Sequence, residues 1–155
     1  MFTFELEFVI LQTNFLQLMK IISALLLFVF MQFGFQNATA QTLRFKTSSV
    51  SVTEKNEKNV WSEWSDFVTA ELLISIDAKK NRIVVNSPEI QVFTILSYGD
   101  KIENDTDKIV PFECKDNNGS KCTIFVITKK KEDNRMQFYI NYAEVKFVYN
   151  IYNSK

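Results

Sequence analysis

From Gln41 onward, apolar and polar residues alternate in short runs separated by polar turns, and no convincing helical stripe interrupts them. Leu43, Phe45, Val50 and Val52 mark a first strand. Glu71 to Asp77 sets Leu72, Ile74 and Ile76 against Glu71, Ser75 and Asp77, and the polar turn after it leads into Arg82 to Asn86. Ser87-Pro88 breaks that strand, because proline lacks a ladder donor. The runs 90–98, 109–114, 122–128, 136–142 and 145–152 follow, each rich in β-branched and aromatic residues. This spacing predicts an all-β fold, a single antiparallel domain of seven to eight short strands. A calycin-like barrel is the first expectation, since adjacent hairpins close without long crossovers, and a β-sandwich is the second. The stretch 59–70 carries Val60, Trp61, Trp64, Phe67 and Val68 at loose helical spacing and reads as a loop or a single helical turn.

The residues before this domain follow a different pattern. Ile21 to Phe35 is almost wholly apolar, with Met19 and Lys20 before it and Ala38-Thr39-Ala40 after it. A short positive start, an apolar run and small residues in an A-x-A arrangement are what signal peptidase recognises. The run is shorter than the roughly 20 residues that span a bilayer comfortably. Residues 1–40 are therefore expected to be an upstream extension, with the true start at Met19, plus a cleavable helical signal peptide. Residues 41–155 then form the mature domain, exported to a periplasmic or extracellular setting with no stable membrane span after cleavage.

Removing Lys20, Glu5 and Glu7 with the leader leaves 17 basic against 16 acidic residues. So even a balance makes no electrostatic case for nucleic acid as a partner. There is no histidine, which removes the usual general base and histidine metal sites, and the three glycines form no phosphate-cradling loop. The expectation is a protein that is not an enzyme, with no catalytic residues, no cofactor and no metal.

Cys114 and Cys122 flank a turn centred on Asn117-Asn118-Gly119, whose residues tolerate positive φ. With Asn118 at the apex, Cys114 lies opposite Cys122, Phe112 faces Ile124 and Val110 faces Val126. A non-hydrogen-bonded cross-strand site in an exported protein predicts a structural disulfide. The same register sets Ile109 against Ile127 and Pro111 against Phe125 on the other face. Both faces are apolar, so something covers each: another segment of the chain with its two tryptophans, a ligand or a second subunit.

Trp61-Ser62-Glu63-Trp64-Ser65 resembles, over five residues, the W-S-x-W-S motif of class I cytokine receptors, and its tryptophan spacing is similar to the W-x-x-W of thrombospondin type 1 repeats. In the receptors the motif lies late in a fibronectin-type domain, its tryptophans interleaved with arginines. Here it lies early, and only Arg44, Arg82 and Arg135 are present; thrombospondin repeats need six cysteines, and this chain has two. The tryptophans are read instead as capping one end of the domain or lining its mouth. The acidic stretch from Asp100 to Asp107 lacks the pattern of a calcium loop and reads as a polar connection, and Lys129-Lys130-Lys131 reads as a solvated turn answered by Glu132 and Asp133.

Two functions follow. One is capture of a small apolar ligand in an interior rimmed by Trp61, Trp64, Tyr98, Tyr139 and Tyr142. The other is a structural or interaction module whose second apolar face docks a protein of the cell envelope. The direction in which Phe125, Ile127, Tyr139 and Val148 point separates them.

Overall fold

The computed structural model describes residues 42–154. The expected extension and signal peptide lie outside the described residues. Ten strands form one antiparallel sheet: β1 (Leu43–Glu54), β2 (Val68–Thr69), β3 (Leu73–Asp77), β4 (Arg82–Asn86), β5 (Gln91–Tyr98), β6 (Ile102–Glu103), β7 (Asp107–Asp116), β8 (Lys121–Lys129), β9 (Arg135–Asn141) and β10 (Val145–Asn153). Eight of them run in the order β1-β3-β4-β5-β7-β8-β9-β10, and β10 pairs back onto β1 to close the ring. The fold is a closed eight-stranded antiparallel barrel, so the sandwich alternative does not form.

Each of the eight apolar runs becomes one barrel strand. Turn chemistry fits the positions where the chain reverses: Asn81, Asp133, Asn134 and Gly119 all have positive φ, a conformation that asparagine, aspartate and glycine adopt more readily than other residues. Register shifts interrupt β1 between Thr47 and Ser49 and β5 between Ile95 and Ser97. Such bulges increase local twist and help a sheet curl.

The inner face carries Phe45, Ile74, Ile83, Val85, Phe93, Phe112, Ile124, Phe138, Ile140 and Ile151, all buried. An eight-stranded barrel is just wide enough for side chains to fill it, and here aromatic rings fill much of it.

Asn59, at positive φ, closes a turn on Asn56, and from Val60 to Ala70 the chain runs on with no helical turn. Ser62 N donates to Glu54 O, Ser65 N to Val52 O and Ala70 N to Ser48 O, so the segment runs beside β1. Side chains double these links. Thr53 Oγ1 donates to Ser62 O at 2.8 Å, and Ser51 Oγ donates to Ser65 O at 2.6 Å. Loose helical spacing misleads here because the apolar residues do not share one buried face: Val60, Trp64, Phe67 and Val68 are all exposed.

The cysteine expectation needs correction. Cys114 and Cys122 are directly opposite, as are Phe112 and Ile124, and Val110 and Val126, but both cysteines are free thiols buried in the core. Asp116 N donates to Ser120 O at one end of this hairpin and Lys130 N to Thr106 O at the other. Hydrogen-bonded and non-hydrogen-bonded pairs alternate along an antiparallel ladder, which makes Cys114–Cys122 a hydrogen-bonded pair and not the expected open one. At such a site the Cβ atoms stand about 5.5 Å apart, beyond the roughly 3.5–4.5 Å that a bridge spans. Burial pushes both thiols up to about 12, so neither is a thiolate at neutral pH.

Candidate functional site

The five aromatic residues expected to rim the interior fall in three places. Trp61 lies beside β1 and β10, its ring between Lys146 Nζ at 4.0 Å and Lys55 Nζ at 5.2 Å. The cation-stacking role sought in arginine thus belongs to two lysines. Trp64 stands edge-on to Tyr139, centroids 6.2 Å apart, on the outside of the wall. Tyr98 is at one end of the barrel, donating to Asn81 Oδ1 at 2.8 Å with its ring edge on Phe112. Tyr142 is at the other end, donating to Asp116 Oδ2 at 3.0 Å. No common mouth gathers them, because alternation along each strand sends Tyr139 outward while Tyr142 packs on the core.

Phe125, Ile127, Tyr139 and Val148 all point outward. One row across the wall reads Pro111, Phe125, Tyr139, Val148, Ser51, and the next reads Ile102, Ile109, Ile127, Gln137, Asn150, Ser49. Each row passes from apolar to polar. The polar half is covered and bonded: Gln137 Nε2 donates to Asn150 Oδ1, Asn150 Nδ2 to Ser49 Oγ and Tyr139 OH to Gln137 Oε1. Ser51, Val148 and Gln137 are buried there. The apolar half is less covered, with Ile109, Pro111, Phe125 and Ile127 half-buried and Ile102 exposed. Gly99 belongs to this wall, since its N donates to Pro111 O and a Cβ there would stand 2.6 Å from the Pro111 ring.

A recess with mixed chemistry opens where three hairpins end together, at the connections β4–β5, β7–β8 and β9–β10. It is an open groove of about 730 Å³, within the size range of small-molecule sites. Ile90, Tyr142, Val145 and Phe147 supply apolar walls, and Glu89, Asp116, Lys121 and Glu144 the charge. The turn locks Asp116 in place: its Oδ1 accepts from Asn118 N at 2.9 Å and from Ser120 N at 2.8 Å, leaving Oδ2 for the tyrosine. Burial, helped by that bond, raises the Tyr142 hydroxyl well above its ordinary range, so it stays a donor. Tyr142 alone was among the residues singled out from the sequence. A signal for the others exists: in a meander, every second connection lies at the same end.

Among the described residues, no group of three His, Cys, Asp or Glu side chains is placed to hold a metal ion, and no helix is long and apolar enough to cross a membrane. No family model, curated protein or solved structure matches this chain.

Proposed function

We propose that this protein is an exported, non-catalytic binding domain that takes a small, largely apolar ligand into the groove at one end of the barrel, not into the barrel interior. The groove carries this reading, because its size suits a small molecule and Tyr142, Val145, Phe147 and Ile90 give it apolar walls. Inside the barrel, Phe93 and Phe138 are completely buried among their neighbours, and an eight-stranded barrel is just wide enough for side chains to fill. The test is a native mass spectrum of the full-length protein expressed with its own leader and recovered from an oxidising compartment. An adduct of ligand size that disappears in Tyr142→Ala, together with cleavage after Ala40, is the expected result. A bare chain, or an adduct indifferent to the substitution, rejects the groove.

A second reading, a module that docks an envelope protein, draws on the outer wall around Ile102, Ile109, Ile127 and Phe125. Half-covered apolar rows beside charged connections are the composition of an interaction surface. If this reading holds, Ile127→Asp abolishes co-purification of the partner while the groove still binds.

A further inference from the structure

The charges around the groove do not cancel. Three carboxylates, on Glu89, Asp116 and Glu144, face one ammonium, on Lys121. Glu144 meets Lys55 at 3.7 Å with its side chain 72 % exposed, so that pair is loose and screened. Among the described residues, no ion pair involves Glu89 or Asp116. The partners of Asp116 are two backbone N–H groups and the Tyr142 hydroxyl, which orient its negative charge without neutralising it. Beside this charge run the apolar walls of Val145 and Phe147, with Ile90 exposed at the lip.

Taking the groove as the binding site, we propose that its ligand is a cationic amphiphile: an apolar chain or ring lies along Val145, Phe147 and Ile90 while a positively charged nitrogen faces Asp116 and Glu89. Fatty acids and other anionic amphiphiles are rejected, since their head group would meet an excess of carboxylate. Complementary charge on an open site acts through screened solvent, so the preference is strongest at low salt.

The experiment is a nuclear magnetic resonance titration of the protein with decyltrimethylammonium and, separately, with decanoate, both below their micelle concentrations. The expected result is that backbone signals of residues 89–91, 116–121 and 142–147 shift with the ammonium compound, which binds at least tenfold more tightly than decanoate at low salt. That ratio falls towards one in Glu89→Gln, an exposed loop change that leaves the turn intact, and in Asp116→Asn where the variant stays folded. Equal or tighter binding of decanoate at the same residues overturns the charge inference and leaves the groove reading standing. Shifts from neither compound, or shifts confined to the outer wall, overturn both.

Discussion

Ser51 lies on the outside of the barrel wall and yet is completely buried, because the chain between Trp61 and Ala70 passes over it. A hydroxyl suits this place. It donates to Ser65 O at 2.6 Å, while Ser65 Oγ accepts from Val52 N at 3.0 Å. Thr53 and Ser62 repeat the exchange one step along, with Ser62 Oγ accepting from Glu54 N. A covered polar group that loses its partner costs on the order of 1–3 kcal/mol. Ser51→Ala is therefore expected to lower the unfolding free energy by about 1 kcal/mol, read from the urea midpoint at unchanged slope. Thr53→Val should behave alike, and an unchanged midpoint in both would show that the overlying segment is not held by these bonds. The same scale governs the cysteines: protein prepared without reductant and unfolded in denaturant should titrate two free thiols per chain. A count of zero would mean that the ladder at Cys114–Cys122 yields enough for a bridge.

At the scale of elements, the connection between β5 and β7 is latched to the β8–β9 turn. Glu103 meets Lys130 at 3.0 Å and also pairs with Lys101, Asp107 meets Lys129 at 3.0 Å, and Lys130 Nζ donates to Asn104 O at 2.8 Å. The two stretches read from the sequence as separate solvated loops are each other's partners. Their pairing was not legible because it joins positions about 25 residues apart through a register that the turns determine. Lys101 first, then Lys130, lowers the Glu103 carboxyl from 4.5 to about 2, and Lys129 first, then Thr106, lowers Asp107. A depressed carboxyl contributes stability that is complete above its ordinary value and is lost as pH falls through the folded one. Hence the latch holds at pH 5 and loosens between about pH 4.5 and pH 2, and high salt weakens it throughout. The signals of residues 100–107 should stay constant down to pH values well below 4.5 and move only as pH approaches the folded value, with that response reduced in Glu103→Gln, and a change centred near pH 4.5 would show the latch to be idle. By contrast, the barrel strands were legible wherever one face is buried, since alternation of Ile74 and Ile76, or Phe138 and Ile140, admits one register only. The two-residue strands β2 and β6 carry no such pattern, and neither does the path of 59–70, whose partners are backbone and hydroxyl groups of β1. The groove was legible only through Tyr142. Its other walls come from loops that converge only when the ring closes.

At the scale of the whole molecule, the seam lies between the first and last strands. Phe45 pairs with Asn153, and Ser154 N donates to Arg44 O at 3.0 Å, so the described chain begins and ends side by side. Every other junction in the ring joins neighbours along the chain, whereas this one spans some hundred residues. Long-range closure is slow, because much of the chain must be ordered before the contact forms. A ring of this kind has no structural beginning, and the genetic start is only one of several places to cut it. A permuted gene that links residue 154 to residue 42 and opens the exposed turn between Lys79 and Lys80 would turn the β10–β1 seam into an ordinary hairpin. The distant partners would then be β3 and β4, five paired residues in place of nine. The same barrel should result, with its slowest step moved two junctions along the ring.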